Sequence, residues 1–216
     1  MRGYDPLHGG SAEEAVAGAD VVLGVNAAGV ALAAAREALP ALGAGAIYAD
    51  LNTAAPALKR ELAELVGGRF ADVALLGPVP AKGIGTPTLA SGPGAQAFAD
   101  ALGPLGMPVR VVSGRAGDAA AMKLLRSVFM KGLAASAVES VAAAEAAGHG
   151  DWLKDEIAEV IGRPLLDRLL EGSRAHAARR VDEMEAAAEL LVELGVEPRI
   201  AEASAALLSD LAKRGP

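Results

Sequence analysis

The pattern of apolar and polar positions changes near residue 115 of this 216-residue chain. Before that point, short apolar runs of strand length alternate with stretches of helical periodicity. We predict strands at residues 21–25, 46–51, 70–76, 88–91 and 109–113, and helices at about 29–39, 56–66 and 94–102. Strands that alternate with helices are typical of a mainly parallel α/β sheet.

The second half of the chain carries helical patterns alone. Residues 118–147 contain no proline and a single glycine, Gly132, and Gly148 then gives a signal for helix termination. This predicts a helix much longer than the usual length of about three turns. Further helices are predicted at about 151–161, 164–170, 173–194 and 198–213. We therefore predict an α/β domain over residues 1–115 and an all-α domain over residues 116–216.

Composition narrows the classes of function. The net charge is −7 and the pI is about 5.0, without the basic stripe that a nucleic-acid binder needs. The chain has no cysteine, and His8, His149 and His176 are not spaced as metal ligands. No uncharged apolar run reaches the roughly 18–20 residues of a membrane span, and the first residues are not those of a signal segment. We expect a soluble cytoplasmic protein with no metal, membrane or nucleic-acid partner.

One stretch imitates the glycine loop of a dinucleotide-binding fold. Gly24-Val25-Asn26-Ala27-Ala28-Gly29 lies between a predicted strand and a predicted helix, and Asp50 ends the next strand. Asn26 stands where the loop needs a glycine so that the backbone can approach the pyrophosphate. The match is therefore weak evidence for a phosphate site at this position.

Several motifs in order are more specific. Asp50-Leu51-Asn52-Thr53-Ala54-Ala55-Pro56 is similar to a D-x-S-T-x-x-P segment, and residues 70–78 are similar to a substrate loop that reads F-x-D-A-P-V-S-G-G. Gly85-Thr86-Pro87-Thr88 follows, and Gly114 and Gly117 then precede Lys123. With this order and spacing the chain resembles the β-hydroxyacid dehydrogenases and the related 6-phosphogluconate-dehydrogenase-like NAD(P)-binding oxidoreductases. It is most similar to a bacterial phosphogluconate-dehydrogenase-like subgroup, through Lys123-Leu124-Leu125-Arg126-Ser127, Lys131-Gly132, Glu139, His176-Ala177-Ala178-Arg179-Arg180 and Glu183-Met184.

The resemblance implies an incomplete Rossmann-like domain followed by a helical substrate and dimerisation domain. The first strand, the glycine loop and the first helix of the family would lie upstream of Met1. Asp5 would then end the second strand and face the adenosine ribose, which favours NAD over NADP, although a simple Asp-Pro turn explains Asp5 as well. Residues 11–28 would be a helix and a strand that lead to a cofactor-facing loop at Asn26 and Ala27.

The resemblance also implies the site residues. Lys123 would be the general acid/base during hydride transfer, and its apolar neighbours would lower the pKa of its ammonium group. Ser127 lies one helical turn further on the same face, and Arg126 is a candidate anion clamp. The alternative interpretation is that Lys123, Arg126 and Lys131 form a solvated helix edge.

Other candidates for substrate and cofactor binding follow from position. His176 and Arg180 are one turn apart and are candidate substrate groups, unless they form an exposed face paired with acidic residues. Asn52 and Thr53 follow a strand at the end where open α/β sheets bind ligands, although they would serve equally as a helix cap.

The chain departs from the family at the substrate loop and on the long helix. The family's serine falls on Leu76, its second glycine on Pro78, and its asparagine after the catalytic lysine on Ser127. Leu76 cannot bind a carboxylate, whereas Gly77 and Pro78 offer backbone groups, so the substrate of the family cannot be transferred to this chain.

Three functions remain open. The first is an NAD(P)-dependent oxidoreductase acting on a small hydroxy or carbonyl acid, with Lys123 as general acid/base. The second is a catalytically impaired remnant that serves as a dimerising or binding module, and the third is an imine or ketone reductase of the same superfamily. A homodimer is expected, because the long helix is apolar on several faces and must be covered.

Overall fold

A computed structural model describes residues 2–214 of the chain. The chain divides into two compact units, Met1–Lys123 and Leu124–Pro216. The division falls between Lys123 and Leu124, inside the long helix. The predicted domain boundary, between residues 115 and 116, comes before that helix begins.

The first unit contains five strands, with helices between them, and ends in the long helix α6. The strands are β1 (Val21–Gly24), β2 (Ile47–Asp50), β3 (Phe70–Leu75), β4 (Thr88–Ser91) and β5 (Val109–Ser113), and the helices are α1 (Ala12–Val16), α2 (Ala31–Ala38), α3 (Pro56–Val66), α4 (Val79–Lys82), α5 (Ala95–Leu102) and α6 (Asp118–Ala146). The predicted strands and helices are therefore confirmed to within a few residues at their ends.

The sheet has the strand order β1-β2-β3-β4-β5, and three of its four pairings are parallel. The pairing of β3 with β4 is antiparallel, with Leu75 opposite Thr88. The prediction of a mainly parallel sheet is confirmed, with this one reversal. Because of the reversal, the connection over residues 76–87 stays at the edge of the sheet where β1, β2 and β3 end.

Small side chains form the core on both faces of the sheet. On one face, Tyr48 and Phe70 pack with alanines of α2 and with Leu62 and Val66 of α3. On the other face, alanines of three strands pack with Val73 and with Phe98 of α5. The low aromatic content is thus compatible with a closed core, because alanine lets helices approach the sheet closely.

The second unit consists, in the described residues, of helices alone. After α6 these are α7 (Gly150–Ile161), α8 (Arg163–Ala175), α9 (Ala177–Glu193) and α10 (Arg199–Arg214), and the single tryptophan, Trp152 on α7, is 62% exposed. We predicted a break near residues 171–172, but α8 continues through Gly172 to a break at His176. A Cβ on Gly172 would lie 2.7 Å from the guanidinium of Arg180, so this glycine makes room for a side chain and does not end a helix.

Within residues 2–214, α6 is long and apolar enough to cross a bilayer, judged by length and composition. The prediction concerned uncharged runs and is not tested by this finding, which allows a few charged residues in the helix. The same property is found in core helices of proteins that contain no membrane span, so it is weak evidence for a span.

The segment around Asp5 is not a strand. Asp5 forms an isolated bridge with Gly9, and its carboxylate accepts a hydrogen bond of 2.9 Å from the backbone N–H of Leu7 and lies 3.3 Å from His8. The Leu7 N–H, followed by His8, lowers the pKa of Asp5. The expected strand end is therefore wrong, and the alternative, an Asp-Pro turn, is confirmed; the proline follows directly and disfavours helix at Asp5.

Gly117 and Gly114, both before α6, give a matched pair of substitutions. Gly117 has a φ of +97°, and a Cβ there would lie 2.9 Å from the carbonyl oxygen of Pro56, whereas a Cβ on Gly114 would meet nothing within 4 Å. We expect Gly117→Ala to lower the free energy of unfolding by about 1–3 kcal/mol, and Gly114→Ala to change it by less than about 0.5 kcal/mol. Urea unfolding followed by circular dichroism measures both values, and equal effects would contradict the conformational requirement at Gly117.

Candidate functional site

Strand ends bring several predicted residues to one edge of the first unit. Asn26 follows β1, and Asn52 and Thr53 follow β2, its direct neighbour in the sheet. The side chain of Asn52 accepts a hydrogen bond of 2.7 Å from the Asn26 backbone N–H and donates one of 2.7 Å to the Asn26 side-chain oxygen. Ala27, next in the loop, is exposed. The two segments predicted to contact the cofactor are therefore joined to each other.

Lys123 reaches the same edge. Its ammonium group donates a hydrogen bond of 2.7 Å to the hydroxyl of Thr53, and its side chain is half-buried. Lys123 is thus held by a residue that the sequence assigned independently to the site.

The sequence patterns did not predict a buried ionic cluster that lies close to this edge. Asp50, Lys59 and Asp72 are each 0% exposed. The Lys59 ammonium group lies 2.5 Å from one carboxylate oxygen of Asp50 and 3.3 Å from one of Asp72. A signal existed: Lys59 shares the buried face of α3 with Pro56, Leu62 and Val66, and a lysine at such a position requires a buried partner.

Asp72 anchors the beginning of α6. Its second carboxylate oxygen accepts hydrogen bonds of 3.1 Å from the backbone N–H groups of Gly117 and Ala120, and one of 2.9 Å from the hydroxyl of Ser91. The Ser91 hydroxyl in turn accepts a bond of 3.0 Å from the N–H of Ala119. A carboxylate is favourable there, because the first N–H groups of a helix lack partners within it and carry partial positive charge.

The predicted substrate loop offers fewer backbone groups than expected. The N–H of Leu76 donates to the carbonyl of Pro87 at 2.8 Å. Pro78 has no N–H, and its carbonyl accepts bonds of 3.2 Å from Ala81 and Lys82. The expectation that Pro78 offers a backbone contact therefore needs correction, because its one hydrogen-bonding group serves the first turn of α4. Gly77, which is exposed, is left as the candidate donor.

In the second unit, Ser127 belongs to a buried polar cluster with Lys131 and Glu183. The Ser127 hydroxyl and the Lys131 ammonium group lie 2.5 Å and 2.8 Å from the same oxygen of Glu183, and Lys131 also contacts Ser127 at 3.2 Å. Burial lowers the pKa of Lys131, and the charge of Glu183 opposes this shift. Ser127 was predicted as a substrate residue, whereas Lys131 and Glu183 entered only among the residues that carry the family resemblance.

The remaining predicted substrate residues are spread over the second unit. Arg180 donates a bond of 3.0 Å to the hydroxyl of Ser173, and burial lowers the pKa of its guanidinium. Arg126 and His176 are both exposed, His176 at the break between α8 and α9. Repulsion by Arg180 and Arg126 further lowers the pKa of Lys131, so these two cations lie within electrostatic range of it.

Removing the charge of Glu183 should let burial lower the pKa of Lys131 further. In Glu183→Gln the pKa of Lys131 falls further below its ordinary value of 10.5, because the influence of Glu183 that raises it is lost. We expect a loss of about 3 kcal/mol in the free energy of unfolding at pH 7. The unfolded chain then binds more protons than the folded one up to about pH 10.5, so the stability of the variant rises with pH and the loss shrinks by pH 10.

Chemical denaturation at pH 7 and pH 10 measures this change. Glu189→Gln, at an exposed position of the same helix, is the matched control and should change stability little at either pH. A loss in Glu183→Gln that is independent of pH would contradict the assignment of Lys131.

Within residues 2–214, no group of three or more histidine, aspartate or glutamate side chains could hold a metal ion.

Comparisons with known proteins identify the fold and the family. Residues 144–211 match the model of a domain of unknown function, DUF1932. An uncharacterized 28.5 kDa protein of Methanothermus fervidus is 30% identical over 142 residues, which are 64% of this chain and 55% of that protein. The chain thus spans about half the length of this curated relative.

Solved structures match nearly the whole chain. A conserved hypothetical protein from Sinorhizobium meliloti is 30% identical, with a TM-score of 0.70, over 92% of this chain and 69% of that one. A conserved protein of unknown function, described as structurally similar to 3-hydroxyacid dehydrogenases, is also 30% identical, with a TM-score of 0.71, over 93% and 78%.

More distant structures share the fold. The 3-hydroxyisobutyrate dehydrogenase of Salmonella typhimurium is 18% identical, with a TM-score of 0.77, over 95% of this chain and 78% of that one. A reductive aminase from Aspergillus terreus, solved with NADPH, is 20% identical, with a TM-score of 0.57, over 95% and 78%. The two relatives at 30% identity carry the assignment: the chain belongs to a family of conserved proteins that are structurally similar to 3-hydroxyacid dehydrogenases.

Proposed function

We propose that the protein is an NAD(P)-dependent oxidoreductase that acts on a small hydroxy or carbonyl acid. The observation that carries the proposal is the hydrogen bond of 2.7 Å between Lys123 and Thr53 at the edge where β1, β2 and β3 end. Ligands of open α/β sheets bind at this edge, and a lysine there is a suitable proton donor and acceptor.

The residues at the edge fit one part of a nicotinamide nucleotide. Asn26, Asn52 and Thr53, with the exposed Ala27 beside them, form a margin suited to the nicotinamide end. The pyrophosphate end is not matched by residues 24–29, because Asn26 occupies the middle position of the loop and its backbone N–H is bonded to Asn52. When bound, the nucleotide supplies or accepts the hydride.

The proton is handled by Lys123. During oxidation, the neutral amine takes the proton from the substrate hydroxyl, and during reduction the ammonium group returns it to the carbonyl oxygen. Thr53 directs the amino group by accepting one of its N–H bonds. Gly77 is the candidate for binding a substrate carboxylate through its backbone N–H. The candidate substrate residues of the second unit are Arg126, Ser127, His176 and Arg180.

Two observations at the substrate loop favour an imine or ketone reductase as the second candidate. Leu76 is apolar and its N–H is occupied, and Pro78 has no donor. A pocket with these residues suits a substrate without a carboxylate better than a 3-hydroxy acid.

A third candidate is a binding or dimerising module without catalysis. In the second unit, Phe129 is 69% exposed and Ile200 is 58% exposed, and both line an apolar groove of about 450 Å³. We expect a second copy of the chain to cover such a surface, which gives a homodimer. Light scattering after size exclusion should report twice the chain mass at micromolar concentration, and a monomer would contradict the dimer.

Nucleotide binding tests the proposed function most directly. Either NADH or NADPH at millimolar concentration should raise the melting temperature, because a ligand of the folded state stabilises it. The nucleotide preference is left to this measurement, since Asp5 lies in a turn and not in the expected strand. A protein that binds a nucleotide is then tested with 3-hydroxy acids, ketones and imines. If neither nucleotide shifts the melting temperature, the oxidoreductase proposal fails for this chain and the module is favoured. We expect a soluble, cytoplasmic protein in either case.

A further inference from the structure

The ionic cluster of Asp50, Lys59 and Asp72 lies between two segments that meet at the candidate site. Lys59 donates to a carboxylate oxygen of Asp50 at 2.5 Å and to the Asp50 backbone carbonyl at 3.0 Å. It faces Asp72 at 3.3 Å on its other side. A single ammonium group is thus hydrogen-bonded to one carboxylate and paired by charge with a second, and the two carboxylates come from neighbouring strands.

Each carboxylate supports one partner of the Lys123–Thr53 hydrogen bond. The second oxygen of Asp50 accepts a bond of 2.6 Å from the side chain of Asn52, the residue directly before Thr53. The second oxygen of Asp72 accepts hydrogen bonds from the N–H of Gly117, directly before α6, and from the N–H of Ala120, in the first turn of α6 and shortly before Lys123. The loop that carries Thr53 and the helix that carries Lys123 are therefore both tied to Lys59.

We infer that Lys59 is a positioning residue, which fixes the distance between Thr53 and Lys123 by bridging Asp50 and Asp72. The catalytic part of this inference rests on the proposed function. Its structural part concerns the protein without ligand.

Charge explains why a lysine is suited to this position. Two buried carboxylates beside each other repel strongly unless a cation separates them. One lysine leaves the cluster with a net charge of −1, and the N–H groups at the start of α6 compensate the carboxylate of Asp72. An apolar residue in place of Lys59 would let the carboxylates move apart, and Asn52 and the first turn of α6 would follow them.

Three variants separate positioning from stability. Lys59→Met keeps most of the volume and removes the bridge. Lys59→Met with Asp50→Asn removes the bridge together with one carboxylate, so the buried repulsion is gone. Lys154→Met is the matched control, because it removes a lysine from a more exposed ion pair with Glu145.

The first measurement is heteronuclear NMR of the protein without ligand. Lys59→Met should shift the backbone amide signals of Gly117 and Ala120, the side-chain amide of Asn52 and the backbone signal of Thr53, and should leave the signals of β5 in place. Lys154→Met should change none of these. If only signals next to residue 59 on α3 move in Lys59→Met, the inference is overturned, whether or not the protein is an oxidoreductase.

The second measurement is turnover with the nucleotide and substrate found for the wild-type protein. Lys59→Met should lower kcat by about 10- to 100-fold with little change in KM, the size of effect known for small misplacements of catalytic groups. The double variant should regain stability while kcat stays low. Recovery of kcat together with stability would show that Lys59 serves stability alone. Absence of turnover in the wild-type protein would contradict the proposed function and leave the NMR result to decide the structural inference.

If Lys59→Met does not fold, hydrogen exchange of the wild-type protein replaces it. The amides of Gly117 and Ala120 should exchange as slowly as those of β3, because Asp72 holds them in the buried cluster. Fast exchange, as at a frayed helix end, would overturn the inference.

Discussion

Replacing Lys123 by alanine is expected to lower turnover by about 10²–10⁴-fold, which is the usual contribution of a positioned general acid or base. Lys123 donates a hydrogen bond of 2.7 Å to the hydroxyl of Thr53, which fixes the position of the amino group that the proposed proton transfer would use. Nucleotide binding should persist, because two of the candidate nucleotide contacts, Asn26 and Asn52, are held by hydrogen bonds to each other. Initial rates of NAD(P)H consumption, with the melting-temperature shift by nucleotide, measure both properties.

Lys123→Arg separates charge from proton transfer. Arginine keeps the positive charge but does not release its proton in the working pH range, so this variant should be nearly as inactive as Lys123→Ala. Lys154→Ala is the surface control and should retain full turnover. Activity in Lys123→Arg close to that of the wild-type protein would contradict a proton-transfer role and favour a role in binding an anion.

Replacing Asp72 by alanine is expected to give the largest loss of stability, about 3–5 kcal/mol. The substitution takes one carboxylate from Lys59 and leaves the hydroxyl of Ser91 and the N–H groups of Gly117 and Ala120 without their acceptor. Each buried donor left in this way adds about 1–3 kcal/mol of desolvation cost. For a chain of this size, the melting temperature should fall by roughly 10 °C or more.

Two further variants identify the source of that loss. Asp72→Asn keeps an oxygen that can accept from α6 but loses the charge beside Lys59, so its loss should lie between zero and that of Asp72→Ala. Asp100→Ala makes the same change at an exposed position on α5 and should cost less than about 1 kcal/mol. Equal losses in Asp72→Ala and Asp100→Ala would contradict the anchoring of α6 by Asp72.

The helices and strands could be predicted from the sequence because their hydrophobic periodicities are strong and glycine and proline mark many of their ends. The five apolar runs became the five strands, and the glycine-poor stretch after Gly117 became α6. The reversal of β4 was not predictable, because an apolar run reads the same in a parallel and an antiparallel neighbour. Gly172 misled the prediction for a different reason: local sequence does not reveal that the space of its missing Cβ is filled by Arg180.

The candidate site was predictable where motifs carried it and not where buried charge carries it. Lys123 came from motif resemblance, Asn52 and Thr53 came from a motif and from their position after a strand, and the structure joins Lys123 to Thr53. The roles of Lys59 and Glu183 depend on partners from other elements, which lie 9 and 13 residues away for Lys59 and 52 and 56 residues away for Glu183. No local sequence pattern predicts such pairings, although a lysine on the apolar face of α3 indicates that a buried partner exists.

The position of Trp152 decides how these variants can be observed by fluorescence. Trp152 is the chain's one tryptophan, lies in the second unit and is already 62% exposed in the folded protein. Its emission will therefore change little on unfolding and will respond weakly to structural changes in the first unit. Tyr48, 2% exposed beside Asp50, is the natural reporter there, and burial raises its pKa to about 12. Both tyrosines, Tyr4 and Tyr48, lie in the first unit, so absorbance of ionised tyrosine, recorded as the alkaline pH is raised, reports on that unit without a contribution from the second.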